Sequence, residues 1–435
     1  MGRFALILAL GTMYFSVSAY AEHGKDPLRV IADTDTPVPG GGGNTFQTFF
    51  QLDGVDPDIS GRNIVFGGCC PAGFYRWFDG ELGVIADVNS TFPGSGNPLG
   101  FGGATGSSPS ISGKNVAFAC SNGQPGPGAI CASINGKLQS VAEGGVTFVP
   151  GTGESFGTFF ALNGVGPSIS GTNVAFSAGS DSFNGVYARI DGEIVTIADN
   201  TTPVPGQPGL TFQNFGQLNG FSPSISGANV AFFGFWFGGV GVYAHINGEL
   251  RAIVDTTTGA KVGADPSISG ENVAFLSGGI GGISCYIDGQ LQVTVDTNTP
   301  VPEGTGTFCG FSIPVIDGEN LGFAACTDIG AGIFTYIDGE VELIANRNTI
   351  VPGHEDTTFE SFGGNCDVTP SFSDVNLVFY GKGRLPGKNN KSINGIYAHI
   401  HEPPIPAAST WALVAMSLLL LSGGSILLRK RTETG

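Results

Sequence analysis

The decapeptide Pro223-Ser-Ile-Ser-Gly-Ala-Asn-Val-Ala-Phe232 is written seven times along a chain of 435 residues. The other copies, drifting in detail, are Pro57–Phe66, Pro109–Phe118, Pro167–Phe176, Pro266–Phe275, Pro314–Phe323 and Pro370–Phe379. Self-similarity at a spacing of roughly 40–60 residues marks a solenoid, a propeller or an array, whose units bury their faces only against one another. Length alone would suggest two or three domains, and the repeat overrides that expectation.

Each copy continues in the same way. In the third, Gly185-Val-Tyr-Ala-Arg-Ile190 leads through Asp191-Gly192 into Glu193–Ala198 and Asp199. The matching segments elsewhere are Gly73–Phe78, Ala129–Ile134, Gly241–Ile246, Gly282–Ile287 and Gly332–Ile337, each followed by Asp-Gly or Asn-Gly. Between two alternating apolar runs that dipeptide is a hairpin signal, because the tight turn needs positive φ at both central residues. The Ser-Gly-x-Asn inside the decapeptide makes the preceding turn. One unit therefore reads as four antiparallel strands: A (Pro-Ser-Ile-Ser), B (Asn-Val-Ala-Phe), C (Val-Tyr-Ala-x-Ile) and D (Glu-Leu-x-x-Ile-Ala-Asp). Seven such units predict an all-β, seven-bladed β-propeller over residues 28–400. The 72 glycines and 26 prolines then serve as turn residues, and 41% hydrophobic residues speak against general disorder.

Ring closure is legible too. The seventh unit has strands A and B at Pro370–Phe379 and C at Gly395–Ile400, then stops at His401-Glu-Pro-Pro. Its missing D strand stands at the other end, as Leu28-Arg-Val-Ile-Ala-Asp33. An N-terminal strand completing the last blade covers an open edge and joins the chain ends without a covalent bond. The main alternative is an open β-solenoid. The unit resembles propeller repeats of the TolB type, in which Pro-x-x-Ser-Pro-Asp-Gly precedes an Ile-Ala-Phe strand and a Tyr-bearing one. This chain carries Ser-Gly-x-Asn in place of Ser-Pro-Asp-Gly, and the resemblance implies architecture without activity.

The two ends read as addresses. Met1–Ala21 has Arg3, an apolar run from Phe4 to Val17 and the small-residue end Ala19-Tyr20-Ala21, the layout of a cleaved secretory signal. Ile405–Leu428 carries no charge and meets Arg429-Lys430-Arg431. A membrane helix is expected over 411–428, after a Pro-rich linker at 401–410, with the basic tail 429–435 cytoplasmic. This end resembles C-terminal sorting signals of the PEP-CTERM and IPTL-CTERM type. The resemblance rests on Ile405, Pro406, Ser409 and Trp411, then the helix, then Arg429, Lys430 and Arg431. It implies an exosortase-like sorting enzyme as partner; a plain membrane anchor is the simpler reading. In a four-stranded blade both chain ends fall on the face of the short turns, so the long loops should point away from the membrane.

Net charge is −18. Leaving out Arg3, Arg429, Lys430, Arg431 and Glu433 leaves 14 basic against 35 acidic residues, a net charge of −21. Such a surface repels nucleic acid. Asp33-Thr-Asp35, Asp199-Asn200 and Asp296-Thr-Asn298 close D strands with oxygens at alternate positions. They suit local Asx turns or a share in a Ca²⁺ site, without the calcium-hand loop pattern; no other cofactor is expected.

Chemistry belongs where the repeats differ. The D-to-A loops share Thr36-Pro-Val-Pro-Gly40, repeated at Thr202–Gly206 and Thr299–Glu303 and more loosely at Thr349–Gly353. They run into Phe46/Phe49, Phe212/Phe215, Phe308/Phe311 and Phe359/Phe362. These phenylalanines either plug the space between blades or line a binding face. The fifth unit lacks the insert over Thr256–Asp265, which would open a notch. The run Phe233, Phe235, Trp236 and Phe237 is the most apolar surface candidate, for stacking on sugar rings, for docking a partner or for packing between blades. Eight cysteines in an exported chain favour disulfides. Cys120 and Cys131 bracket one hairpin, and Cys309 and Cys326 flank another. Cys69-Cys70 lie where they would reach Cys366, leaving Cys285 odd. Neither a nucleophile elbow, nor a phosphate loop, nor a His-Glu-x-x-His occurs. The leading expectation is a non-enzymatic, surface-anchored module binding a glycan, an envelope component or a protein. The alternatives are a propeller glycoside hydrolase or polysaccharide lyase, and a purely structural matrix protein.

Overall fold

A computed structural model describes residues 27–402, except for 50–55, 102–106, 124–127, 160–165, 216–221, 260–261, 264–265, 279–280, 364–368 and 386–390. Seven antiparallel sheets follow one another along the chain. In blade four, A is Ser224–Ser226, B Asn229–Trp236, C Gly239–Ile246 and D Glu249–Asp255, hydrogen-bonded in the order A-B-C-D. The innermost strands touch in a closed cycle, from Asp58–Ser60 of blade one through each blade to Ser371–Ser373 of blade seven and back. The molecule is a seven-bladed propeller.

The turn chemistry behaves as the sequence requires. Asp79, Asn135, Asp191, Asn247, Asp288 and Asp338 sit at φ 51–53°, each before a glycine that is also at positive φ. That is the two-residue hairpin turn for which Asx-Gly is suited. The A–B turn places its glycine at positive φ in blades one to six, and Asp374 takes the same conformation at φ 57° in blade seven.

The decapeptide proves to be a latch between blades as well as a hairpin. Its Ile packs on the preceding blade, as Ile111 does on Val65 and Phe74. Its two serines accept backbone N–H groups from the following blade. Ser110 Oγ accepts from Ile169 at 3.2 Å, and Ser112 Oγ accepts from Gly171 at 2.8 Å. The pattern repeats with Ser168 and Ser170 toward Ile225 and Gly227, and with Ser224 and Ser226 toward Ile268 and Gly270. The Asn of the motif works in two directions. Asn173 donates to Gly227 O of the next blade at 3.0 Å and accepts the Asp191 N–H of its own C–D turn at 3.0 Å. The first serine thus supplies an acceptor for a half-buried N–H group, which explains a polar residue in an otherwise apolar strand, while the second serine and the Asn make their bonds at the exposed turn.

Blade seven closes as expected. Leu28–Asp33 pairs antiparallel with Ser392–His399, in a register that sets Leu28 opposite His399 and Asp33 opposite Gly395. His401 N donates to Asn376 Oδ1 at 2.8 Å, and Arg29 forms an ion pair with Glu402. Both described ends therefore lie on the face of the short A–B and C–D turns.

Two details depart from the sequence reading. Strand C of blade seven starts at Ser392, three residues before Gly395. In blades one, three, four, six and seven a second short strand, such as Thr48–Phe49, pairs with the outer half of B beyond the reach of A. These inserts follow no alternation long enough to read in sequence. Among the described residues no helix is long and apolar enough to cross a membrane, and the one helical turn is Thr256–Thr258. The secretory segment 1–21, the linker and sorting residues from 403 on, the 411–428 helix and the basic tail lie outside the described residues.

Candidate functional site

The D-to-A and B-to-C loops meet on the face opposite the chain ends. Backbone bonds tie them together: Gly157 N donates to Gly179 O at 2.8 Å, and Gly263 N to Leu276 O at 2.9 Å. The D strand ends in an Asx turn beneath this face. Asp199 Oδ1 accepts the Thr201 N–H at 2.9 Å and the Thr202 hydroxyl at 3.0 Å, while Thr202 Oγ1 accepts the Asp199 N–H at 2.9 Å. Asp33, Asp87, Asp296 and Asn346 repeat this arrangement. The carboxylate oxygens are thus used to shape the loop. Among the described residues, no group of three or more His, Cys, Asp or Glu side chains is placed to hold a metal.

The loop phenylalanines are internal. Phe212 and Phe215 are buried, with ring centroids 5.3 Å apart. Phe212 meets Tyr243 edge-on at 4.8 Å and Phe232 at 5.8 Å. Four-ring clusters of this kind recur around Phe46/Phe49, Phe156/Phe159, Phe308/Phe311 and Phe359/Phe362. Each aromatic pair adds about 0.5–1.5 kcal/mol beyond its area burial. They plug the top of the blade, one of the two roles the sequence allows. Burial, with the neighbouring Asp255 adding to it, raises the Tyr243 phenol well above its ordinary range. Burial also lowers His245, at a strand-C position shared with the buried His399 of blade seven.

The aromatic run of blade four divides by position along its hairpin. Phe233 and Trp236 are buried, Trp236 lying edge-on to Tyr243 at 6.0 Å. Phe235 is half-buried with its ring 5.0 Å from Phe233, and Phe237, at the hairpin tip, is 77% exposed. Phe237 is thus the member of the four that is open to a ligand.

The apolar residues left exposed have a consistent address, which no repeat pattern announces. Val88, Val146, Phe148 and Ile350 lie in D-to-A loops, and Phe237 and Ile329 in B-to-C loops. Val30, Leu291 and Val293 lie on outer strands. Among the described residues, the short-turn face shows no large exposed apolar side chain. In blade three the loop face has a shallow cavity of about 130 Å³, lined by Thr158 and Gly179–Asn184. Its wall is held by Glu154, which accepts the Ser180 hydroxyl at 2.7 Å and the Ser182 N–H at 3.2 Å. Those bonds keep the Glu154 carboxyl below its usual range. Pockets for drug-sized molecules run to about 300–1,000 Å³, so this cavity suits an extended surface contact better than an enclosed small ligand.

The cysteines correct two expectations, the Cys309–Cys326 pair and the reach of Cys69-Cys70 to Cys366, and meet the Cys120–Cys131 one. Cys120 and Cys131 form a disulfide with Cα atoms 5.9 Å apart. Cys309 and Cys326 do not pair: Cys309 is free and exposed, while Cys326 is disulfide-bonded elsewhere. Gly310 lies directly opposite Cys326, so the neighbouring Cys309 points to the other face of the sheet. Cys69 and Cys70 are bonded to each other, and Cys285 is free and buried. Cys366 lies outside the described residues.

No protein-family profile matches the chain, and no curated protein matches it. Solved structures do, at the level of the fold. The β-propeller domain of the Trilobed protease from Pyrococcus furiosus is 10% identical, with a TM-score of 0.42, over 78% of this chain and 94% of that one. The acylaminoacyl peptidase of Pyrococcus horikoshii is 11% identical, with a TM-score of 0.39, over 75% of this chain. This chain spans about half of that peptidase, 48% of its length. The sialidase of Trypanosoma rangeli is 7% identical, with a TM-score of 0.36, over 90% of this chain and 60% of its own. The likeness is one of architecture and carries no activity across.

Proposed function

We propose that the protein is an exported, surface-anchored propeller whose long-loop face binds an extracellular glycan, an envelope component or a protein without chemical turnover. The observation that carries this reading is the segregation of exposed large apolar side chains. Phe148, Phe237, Ile329 and Ile350 stand on the loop face, and the opposite face, where the chain ends leave, has no counterpart among the described residues. Exposed apolar surface marks interaction sites, and these four side chains, carried on loops of blades two, four and six, suit a ligand broad enough to touch several blades. The secretory layout of residues 1–21 and the basic-flanked apolar stretch after Ile405 support export and anchoring. The resemblance of the C-terminus to PEP-CTERM and IPTL-CTERM signals adds an exosortase-like enzyme as the processing partner. An anchor leaving the short-turn face would present the loops outward.

The test is a glycan-array and hydrolysis screen of the mature domain, Glu22–Pro404, alongside a Phe148→Ser/Phe237→Ser variant. Retention on a polysaccharide or envelope fraction, lost in the variant at unchanged melting temperature, is the expected result. Release of reducing sugar or of unsaturated product would replace this reading with that of a hydrolase or lyase. Labelling of intact cells that marked the short turns and spared the loops would reverse the proposed orientation.

A further inference from the structure

Strand D is the outer edge of every blade, and an uncovered edge invites pairing with another chain unless charge or a bulge blunts it. All seven outer strands carry a bulge near their fifth residue. Six also carry charge near their start: Glu81, Lys137, Glu193, Glu249 with Arg251, Glu340 with Glu342, and Arg29. The outer strand of blade five reads Gln290-Leu-Gln-Val-Thr-Val-Asp296 and has no charge before its last residue. Leu291 and Val293 are 49% and 64% exposed there and share one face of the strand. The equivalent Leu82 and Val84 of blade one, and Val341 and Leu343 of blade six, are half-buried against their neighbours.

We propose that this edge is a homodimer contact, in which two copies of the chain pair their blade-five outer strands antiparallel about a two-fold axis. In a chain of net charge −18, this is the outer edge where two copies pair over Gln290–Thr294 without setting charged side chains opposite one another, Asp296 lying past the bulge. Antiparallel pairing is self-complementary under two-fold symmetry, so a second copy supplies the matching surface that another protein would need to evolve. Centred on Gln292, the pairing sets Leu291 of each copy opposite Val293 of the other, and apolar cross-strand pairs stabilise a sheet. The bulge at Thr294 ends the regular ladder, so the contact is short and the dimer is a dissociable one.

Sedimentation of the Glu22–Pro404 domain should show a concentration-dependent monomer–dimer equilibrium that shifts toward dimer as salt screens the net charge. Val293→Lys should give monomer, while Gln139→Lys on the outer strand of blade two should leave the equilibrium unchanged. In a Cys309→Ser background, Gln292→Cys should yield a covalent dimer on mild oxidation, because the two copies of residue 292 face each other at the axis. This third variant decides the matter if Val293→Lys fails to fold. Wild-type monomer at every concentration, a dimer indifferent to Val293→Lys, or no oxidative cross-link at position 292 would each overturn the proposal.

Discussion

The Ser371 hydroxyl oxygen accepts the Ile59 N–H at 3.2 Å, although 312 residues of chain separate the two. With the Gly61 N–H bonded to Ser373 Oγ at 3.0 Å, it carries the inter-blade latch across the seam between blade seven and blade one. The same Ser371 hydroxyl donates to Asp58, which occupies the first-serine position of blade one. Ser371→Ala should leave the Ile59 N–H with Asp58 Oδ1 as its one acceptor and take a donor from the Asp58 carboxyl. Losing a hydrogen bond to such a group costs about 1–3 kcal/mol. Urea denaturation should register a loss of that size, and an unchanged midpoint would show that the seam does not depend on this bond.

Asp58 makes the seam sensitive to pH. Its carboxyl accepts the Ile59 N–H at 2.9 Å and the Ile111 N–H at 2.8 Å, yet burial outweighs these bonds and raises it above the ordinary carboxylate range. A group that holds its proton more tightly folded than unfolded lowers stability once ionised. The penalty is absent below the unfolded value of about 3.9, grows as pH rises toward the folded value and is complete above it. Asp58→Ser restores the residue of most other blades. Its melting temperature should therefore exceed that of wild type by more at pH 8 than at pH 4. A gap that shrinks with rising pH would contradict the assignment.

The closure by Leu28–Asp33 is non-covalent, so its position in the chain should not matter. A circular permutant that moves residues 27–33 behind Glu402 through a short flexible linker should melt within a few degrees of wild type. Deleting the same residues should abolish cooperative melting, because Ile396 and Tyr397 lose their partner strand and Ile31 and Ala32 leave the core. A cooperatively melting deletion would show that the ring tolerates an open blade.

Phenylalanines of similar sequence context should divide sharply by burial. Phe212→Ala removes a ring with 1% exposure from a four-ring cluster and should cost about 3–5 kcal/mol. Phe237→Ala, at the exposed hairpin tip, should stay within about 0.5 kcal/mol of wild type. Chemical denaturation of both variants checks the pair, and equal losses would refute the division.

Much of the fold was legible because the decapeptide states a local rule seven times over. Asx-Gly fixes hairpins through backbone φ, period-two alternation fixes which face is buried, and the orphaned Leu28–Asp33 segment matches the one incomplete unit. The site was less legible. Phe233 and Phe237 look alike as letters, and what separates the buried ring from the exposed one is distance along the hairpin, Phe237 standing beyond the end of its strand. The Cys309–Cys326 expectation failed for a related reason. Proximity across a hairpin was readable, but the facing of the side chains depends on a register set by the short Gly310–Phe311 strand.

By itself the sequence determined the number of blades, the strand order within each and the place where the ring closes. These rest on backbone preferences and short-range alternation, which act within a few residues. Only the tertiary structure decided that the motif serines latch one blade to the next and that the loop phenylalanines turn inward. It also decided that the exposed apolar loop residues share one face and that Leu291 and Val293 stand exposed on one outer edge. Those outcomes depend on groups brought together from 40 to more than 300 residues apart, such as Ser226 with Gly270 and Ser371 with Ile59. No local pattern records such encounters, because each half is ordinary until the ring places it beside the other.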